Sequence, residues 1–137
     1  MGQVYEEITL KNVGDVSAAN RGYIKEPEIR ETTVRALVDT GAITLVINET
    51  MRKQLGLEVK ERREATFGNG KKAICSLTGP VEVQWKDRST ICQALVTSED
   101  GGVLLGAIPL EGMDLMVNPV EQKLVGVHGD KAVYLVM

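Results

Sequence analysis

The sequence has few of the residues on which several kinds of catalysis and ligand binding depend. Histidine occurs once, as His128, and cysteine occurs twice, as Cys75 and Cys92. Two cysteines this far apart cannot form a disulfide framework or a zinc site, and their β-like apolar surroundings are typical of reduced core thiols. Catalysis by a Ser-His or Cys-His pair would depend on His128 alone, and residues 127–130 are typical of a turn after a strand. We therefore assign no chemistry to the thiols and expect His128 at a surface turn.

Aromatic residues and an excess of positive charge are also scarce. Aromatic residues make up 4% of the chain, with one Trp and one Phe, and the formal net charge is -3. A surface that binds nucleic acid needs a basic stripe against the phosphates and rings that stack on the bases, so nucleic acid is not an expected partner. No apolar run approaches the length of a membrane span, and the first residues carry neither a basic nor an apolar targeting region. We expect a cytoplasmic protein that does not associate with a membrane.

What the chain does contain is typical of a folded globular protein. Hydrophobic residues make up 43% and charged residues 26% of the sequence, which argues against a disordered chain or a coiled coil. A length of 137 residues is enough to bury a core and too short for two lobes of ordinary size. We expect one domain over residues 1–137.

Strand-like segments dominate the sequence, and turn signals separate most of them. Gly68-Asn69-Gly70 and Thr78-Gly79-Pro80 are typical of turns, and Lys86 to Arg88 of a polar hairpin tip. This pattern predicts a mainly β fold built from antiparallel strands. The predicted strands are residues 4–11, 32–38, 45–47, 64–67, 71–77, 81–85, 90–96, 114–118, 123–127 and 132–137.

Two short helices and one long connection complete the prediction. Asn48 can cap a helix that carries Glu49 in its first turn and ends at Gly56. A second helix over residues 107–113 is compatible with Pro109 in its first turn. Residues 12–31 hold two glycines, a proline and seven charged residues, which predicts a long loop or a protruding hairpin insertion. Such an insertion either covers a cleft or contacts a partner, or it is an inert surface excursion.

The most informative segment is Leu37-Val38-Asp39-Thr40-Gly41-Ala42, where an apolar strand ends in a carboxylate, a hydroxyl and a glycine. A charge at the end of a buried strand requires a partner or water, because an unpaired ion in apolar surroundings is very costly. Gly41 lets the backbone turn sharply, and the Thr40 hydroxyl can bridge to another backbone across a tight contact. This order of residues indicates an aspartic peptidase. The alternative is an Asp that only opens a turn after a strand.

Four motifs in order resemble a known family. They are the Asp39 strand end, a glycine-bearing hairpin tip, an apolar pair followed by glycine, and a short helix directly after it. Together they resemble the single-domain, retropepsin-like aspartic peptidases, and more closely the small prokaryotic relatives of the retroviral proteases, over residues 32–127. The resemblance implies a closed antiparallel β-barrel of the acid-protease type with one or two short helices. The residues that carry it are Asp39, Thr40, Gly41 and Ala42; Gly68, Asn69 and Gly70; and Leu104, Leu105 and Gly106.

The resemblance also implies a role for each motif. Asp39 would be the catalytic residue, Thr40 would lock two catalytic loops together by reciprocal hydrogen bonds, and Gly41 would meet the substrate backbone. The tip at residues 68–70 would be a flap that closes over bound peptide, and residues 104–106 would lie beneath Asp39. A plain hairpin turn and a buried strand with a glycine bend are the alternatives for these last two motifs.

The chain departs from the retroviral pattern at two positions. Retroviral members have an Asp directly after the alanine and an Arg directly after the apolar pair and glycine, and these charges pair. Here the positions hold Ile43 and Ala107. Losing both ends of a buried ion pair is tolerable, whereas losing one would leave an unpaired charge. The departure removes an acidic group that viral members use beside the site to hold the substrate backbone.

Peptide hydrolysis by carboxylates needs one ionised group to accept a proton from water and one protonated group to polarise the carbonyl. Asp39 alone cannot hold both states, and the chain has no second Asp-Thr-Gly. The direct solution is a homodimer in which each copy contributes Asp39 to one site, and aspartic proteases are the standard example of two carboxyls that share a proton. No metal or organic cofactor is needed. The apolar termini, residues 4–10 and 133–137, would pair across the two-fold axis, with edge-strand pairing without symmetry as the alternative.

The sequence therefore predicts a homodimeric aspartic endopeptidase that binds peptide or protein substrates in an apolar cleft between its subunits. A non-catalytic dimeric β-barrel that binds peptides or acts as a scaffold is the alternative, because composition does not distinguish the two. A different hydrolase that uses His128 is a third possibility.

Overall fold

The computed structural model describes residues 2–98 and 100–136. Strands hold 46% and helices 18% of the described residues, so the prediction of a mainly β fold is confirmed. The strands are β1 Tyr5–Asn12, β2 Glu31–Val38, β3 Leu45–Asn48, β4 Val59–Thr66, β5 Lys72–Trp85, β6 Arg88–Thr97, β7 Leu104–Leu105, β8 Leu115–Asn118 and β9 Lys123–Gly126. The helices are α1 Val13–Asn20, α2 Glu49–Leu55 and α3 Ala107–Gly112, and a 3-10 turn spans Glu26–Glu28.

Seven strands form one sheet in the order β1-β2-β7-β3-β6-β5-β4, and β8 pairs with β9 in a small second sheet. Strand β1 also pairs with β5. Six strands therefore form a continuous ring of pairings, in the order β1, β2, β7, β3, β6 and β5. The prediction of purely antiparallel pairing is wrong at two places, because β2 pairs with β7 and β3 pairs with β6 in parallel. Helix α2 and the β4–β5 hairpin separate β3 from β6 in the chain, and parallel neighbours need such a crossover.

The core is built from side chains of these strands and of the helices packed against them. Side chains alternate between the two faces of a strand, and in β1 this alternation buries Ile8 and Leu10 while Glu7 and Tyr5 stay exposed. Other strands contribute aliphatic side chains in the same way, which gives one continuous apolar cluster. Its fully buried members include Ile8, Leu10, Ala36, Leu45, Ile47, Leu55, Val81, Val83, Ala94, Leu105 and Met113.

The two predicted helices are confirmed. The Asn48 side chain accepts a hydrogen bond from the Met51 N–H at 2.8 Å, and Gly56 ends α2 with a positive φ of 63°. Helix α3 begins at Ala107 and ends at Gly112, with Pro109 in its first turn as expected. The sequence predicts both helices because their capping and turn residues are local signals.

The segment 12–31 is not the loop or hairpin that the sequence predicts, because it contains α1 and the 3-10 turn. The Asn12 side chain accepts from the Asp15 N–H at 3.0 Å, and its amide donates to the Leu55 carbonyl at 2.8 Å. Asp15 in turn binds the Arg30 guanidinium through Nε at 2.8 Å. Helix α1 has no buried residues, so these hydrogen bonds at its N-terminal end hold it against the rest of the chain.

Two further predictions are wrong in the β region. Thr78 to Pro80 is not a turn, since β5 continues through it with a register shift against β6. The Thr78 hydroxyl accepts from the Ala94 N–H at 3.0 Å and so replaces a bond that the shift removes from the ladder. The C-terminal residues 132–136 form no strand, because no strand of the described chain pairs with them. Residue 137, the last of that predicted strand, lies outside the described residues.

Within residues 2–98 and 100–136, no helix combines the length and the apolar character needed to cross a membrane.

Candidate active site

Asp39 lies at the point where β2 ends, in a tight loop that binds its own carboxylate. The Asp39 N–H donates to the Leu105 carbonyl at 3.0 Å, which continues the β2–β7 pairing to this residue. The Gly41 N–H donates to Asp39 Oδ1 at 2.9 Å, and the Ala42 N–H donates to the Asp39 carbonyl at 3.1 Å. Within the described part of the chain no other donor binds this carboxylate. One carboxylate oxygen is therefore held by the loop and the other is left for a further partner.

The loop is accessible from outside the molecule. Thr40 and Gly41 are exposed, and the Asp39 side chain is half-buried. A Cβ added at Gly41 would lie 3.2 Å from Asp39 Oδ1, a distance that few real Cβ contacts reach. Glycine at this position lets the backbone amide approach the carboxylate. The Asp39-Thr40-Gly41 turn thus presents both a carboxylate and backbone groups to whatever binds there.

Residues 104–106 support the loop from below. Strand β7 lies between β2 and β3, parallel to the first and antiparallel to the second. A Cβ added at Gly106 would lie 2.2 Å from the Thr44 carbonyl oxygen and 2.6 Å from that of Ala42, so a side chain cannot fit there. The Ala107 N–H donates to the Ala42 carbonyl at 2.8 Å. The structure therefore brings the Asp39 loop and Leu104-Leu105-Gly106 into direct contact.

Two exposed apolar side chains, Ile43 and Ile108, lie where the Asp39 loop meets the start of α3. The Ile108 N–H donates to the Ile43 carbonyl at 2.8 Å, so backbone hydrogen bonds join the loop to the start of α3. Ile43 is 73% exposed and Ile108 is 47% exposed. The contact between loop and helix therefore does not need a charged pair, and two uncovered apolar side chains flank the loop.

The residues at 68–70 form the tip of the β4–β5 hairpin. The Gly70 N–H donates to the Phe67 carbonyl at 2.9 Å, the Lys71 N–H donates to Asn69 Oδ1 at 3.0 Å, and Gly70 has a positive φ of 81°. Residues 59–64 of β4 are all exposed, and β4 pairs with β5 alone. No hydrogen bond in the described chain joins this tip to the Asp39 loop. The structure therefore shows a projecting hairpin, and its role as a flap stays a prediction.

His128 lies in a surface turn, as its sequence context predicts. Its Nδ1 lies 2.8 Å from Asp114 Oδ2, and the hydrogen bond from His128 holds the pKa of Asp114 below its ordinary value. The Val133 N–H donates to the same carboxylate oxygen at 3.0 Å. His128 therefore binds the same carboxylate that holds the C-terminal segment. None of its hydrogen bonds involves the Asp39 loop.

Both thiols are buried, as expected for core cysteines. Burial raises the pKa of the Cys92 thiol, and a hydrogen bond with Thr44 opposes this effect only in part. A buried thiol with a raised pKa is a poor nucleophile. Cys92 therefore supports the packing beside Thr44, and nothing in its surroundings activates it.

Sequence reasoning missed Arg88. The hairpin tip that contains it was predicted to be polar, yet Arg88 is buried and its guanidinium donates to the carbonyls of Met113 at 3.0 Å and Asp114 at 2.8 Å. It thereby fixes the end of α3, whose first residue touches the Asp39 loop. No local signal marks this role, because the three-dimensional fold alone supplies the carbonyl groups.

Comparison with known families agrees with the fold and the geometry of this site. The model of the family described as gag-polyprotein putative aspartyl protease matches residues 26–118. The matched region covers more than half of the chain and includes the Asp39 loop, the β4–β5 hairpin, β7 and α3. The chain therefore belongs to this family, which confirms the resemblance to retropepsin-like aspartic peptidases. A search of curated proteins found no match to the chain.

Proposed function

We propose that this protein is an aspartic endopeptidase that acts as a homodimer, with Asp39 of each copy in one shared site. The observation that carries the proposal is the Asp39 carboxylate in an exposed loop, held by the Gly41 N–H at 2.9 Å and backed by Gly106. Membership of a family of aspartyl proteases supports the same conclusion. The ring of strand pairings is compatible with the closed barrel of the acid-protease type.

The chemistry requires a second carboxylate. One Asp39, in the ionised form, accepts a proton from water as the water oxygen attacks the peptide carbonyl carbon, and the other, in the protonated form, donates its proton to the carbonyl oxygen. Collapse of the tetrahedral intermediate breaks the C–N bond as the first Asp39 passes the proton it took from water to the amine nitrogen. The second Asp39, now ionised, takes a proton back from a hydroxyl of the intermediate as the carboxyl product forms. The pair then holds one proton again, so we expect activity at acidic to near-neutral pH and a loss when both groups carry or both lack a proton.

The termini are the candidate dimer contacts. The Val4 carbonyl accepts from the Val38 N–H at 2.8 Å, so the N-terminal segment runs beside the end of β2 next to Asp39. The C-terminal side chains of Leu135 and Val136 are 77% and 92% exposed, after the Tyr134 hydroxyl donates to the Gly112 carbonyl at 3.3 Å. A second copy can pair with backbone groups that this chain leaves without a strand partner.

The test is replacement of Asp39 by Asn, with exposed Asp87→Asn as the matched control. We expect Asp39→Asn to lower kcat/KM on peptides by roughly a thousandfold or more, as is usual for loss of a catalytic group, while thermal unfolding and dimerisation are unchanged. Asp87→Asn should retain full activity, and a statine-type mimic of the transition state should inhibit the unsubstituted protein. Retained turnover in Asp39→Asn, or full activity in a strict monomer, would reject the proposal.

A non-catalytic peptide-binding or scaffold dimer is the second candidate. The exposed Ile43, at a position where a charged group would hold the substrate backbone, favours it. Peptide binding without cleavage down to pH 4, at concentrations where the dimer forms, would support this candidate and exclude the peptidase.

A further inference from the structure

The β4–β5 hairpin has two faces with different surroundings. The register sets Glu61 opposite Leu77 and Arg63 opposite Cys75, and directly opposed residues share a face of the sheet. Leu77 and Cys75 are buried, so this face turns toward the body of the protein. We call it the inner face.

The opposite face of the hairpin is the outer face. Here Arg62 lies opposite Ser76 and Glu64 lies opposite Ile74, and Ile74 is 60% exposed. Two neighbouring arginines, Arg62 and Arg63, therefore point to opposite sides of the same strand. They have the same chemistry and different surroundings, which makes each the natural control for the other.

Arg63 is available to a ligand despite its partner. Its guanidinium forms an ion pair with Glu61, two residues away on the same strand. The side chains of Arg63 and Glu61 are 63% and 47% exposed, and ion pairs exposed to this degree add little to stability. A carboxylate from another molecule can therefore replace Glu61 at little cost, and the planar guanidinium can bind it through two parallel hydrogen bonds.

The inner face next to Arg63 has room for an extended peptide. Toward the tip the next opposed pair on this face is Ala65 and Ala73, and two methyl side chains leave the strands largely uncovered. Under the proposed function this is the face that would lie over substrate bound at Asp39. Arg63 is then a cationic side chain on the inner face, beyond the two alanines as seen from the tip.

The charge of the hairpin favours an acidic peptide over a polyanion. Residues 58–74 contain five lysines and arginines and three glutamates, in a chain whose formal net charge is -3. The glutamates lie next to or between the cations and pair with Lys60, Arg63 and Lys72. A continuous phosphate backbone would meet these carboxylates as well, whereas one carboxylate side chain needs only one guanidinium.

We propose that Arg63 determines substrate specificity by binding a Glu or Asp side chain at a fixed distance from the scissile bond. The proposal rests on the proposed peptidase function, because that function puts substrate beneath the hairpin. It assigns the acidic residue of the substrate to the inner face and leaves Arg62 on the outer face without a role.

The test compares peptides that carry Glu or Gln at each position around a cleaved bond. Hydrogen bonds to charged groups typically change affinity by about tenfold, so we expect about a tenfold preference in kcat/KM for Glu at one position. Arg63→Gln should abolish this preference by lowering kcat/KM for the Glu peptide to that for the Gln peptide. Arg63→Glu should invert it toward Lys, and Arg62→Gln should keep it. Both arginines are exposed, and circular dichroism would verify that each variant is folded.

Binding of the same labelled peptides to Asp39→Asn separates this proposal from the peptidase itself. A Glu preference in binding that depends on Arg63, without turnover in the unsubstituted protein, would reject the peptidase and keep the specificity residue. Cleavage without a Glu preference would keep the peptidase and reject the role of Arg63. Equal effects of Arg62→Gln and Arg63→Gln, no effect of either, or tighter binding of a single-stranded oligonucleotide than of the Glu peptide would overturn the role of Arg63.

Discussion

At the scale of single residues, Gly106 holds the candidate site together by having no side chain. Its backbone passes so close to the carbonyls of Ala42 and Thr44 that a Cβ would come within 2.2 Å of one oxygen. The obstacle is backbone, which cannot rotate away as a flexible side chain can. The distance between β7 and the Asp39 loop is therefore fixed at this residue.

We predict that Gly106→Ala destabilises the protein by about 1–3 kcal/mol, the usual cost of forcing extra atoms into a packed region. The loop that carries Asp39 must shift to admit the methyl group, so peptidase activity should fall as well. Urea unfolding monitored by fluorescence measures the first effect. Gly102→Ala is the control, because a Cβ there meets nothing within 4 Å. Equal stability of the two variants would contradict the packing argument.

The sequence predicts the role of a residue when the groups that define this role are its neighbours in the chain. It does not predict the role when those groups come from distant segments. Asp39, Thr40 and Gly41 were identifiable because a carboxylate, a hydroxyl and a glycine at the end of an apolar strand form a local pattern. Arg88 was not, because it is an ordinary arginine in a polar hairpin until α3 and the turn after it supply carbonyl groups. Burial of a charged residue is a tertiary property, and one sequence carries no local sign of it.

At the scale of elements, α1 depends on an ion pair at its margin. The hydrogen bonds from Arg30 hold the pKa of Asp15 below its ordinary value of 3.8, and burial opposes this only in part. Because the folded protein favours the ionised carboxylate, the pair stabilises the fold at pH above 3.8. The contribution is lost as the pH falls through the lower pKa of the folded state.

We predict that Asp15→Asn lowers the Tm at pH 7, by an amount equivalent to about 1 kcal/mol for a pair this exposed. The difference from the unsubstituted protein should shrink as the pH falls below 3.8 and vanish in stronger acid. Thermal unfolding from pH 7 to pH 2 measures it. Asp87→Asn should track the unsubstituted protein at every pH, and a gap for Asp15→Asn that does not change with pH would refute the assignment.

Elements were predictable where their ends are marked by local chemistry. Helix α2 has an Asn at one end and a Gly at the other, and α3 follows a glycine and carries an early proline. Helix α1 has no apolar periodicity and no buried residue, so its cap at Asn12 was the only available sign. The break predicted in β5 was wrong because the Thr78 hydroxyl bonds to β6 and carries the strand through a register shift. That bond depends on a neighbour that sequence alone does not identify.

At the scale of the whole molecule, the proposed dimer gives a role to two strongly exposed apolar residues near the C-terminus. Val136 is 92% exposed and Leu135 is 77% exposed. They follow the hydrogen bonds from the Val133 N–H to Asp114 and from the Tyr134 hydroxyl to the Gly112 carbonyl. Removing either apolar side chain should cost the folded monomer little, because each contacts little in the described chain. Any large effect must therefore arise from another molecule.

We predict that Val136→Asp weakens dimerisation by about tenfold or more, since a charge in an apolar contact loses burial energy and is desolvated. Sedimentation velocity over a range of concentrations measures the dissociation constant, and peptidase activity should fall in parallel. Val120→Asp is the control, because Val120 is 90% exposed in the turn between β8 and β9. If both variants dimerise equally, the C-terminal segment is not a contact.

The family was predictable from the order of four motifs, whereas the arrangement of the strands was not. Strand β7 has two residues, yet it separates β2 from β3 and pairs with both. Nothing in Leu104-Leu105 signals which neighbours it has or their direction. Such pairings join distant parts of the chain, so the whole topology must be known before any of them can be inferred.

The ring of pairings leaves β4 as the one strand of the large sheet, within the described chain, that has a single neighbour. Open backbone on such a margin invites other chains to add to it, which is how fibrillar aggregates grow. Lysine, arginine and glutamate along β4 oppose that growth by mutual repulsion and hydration. We therefore expect that replacing the charged residues of β4 by neutral ones, in order to broaden substrate specificity, would lower the solubility of the protein.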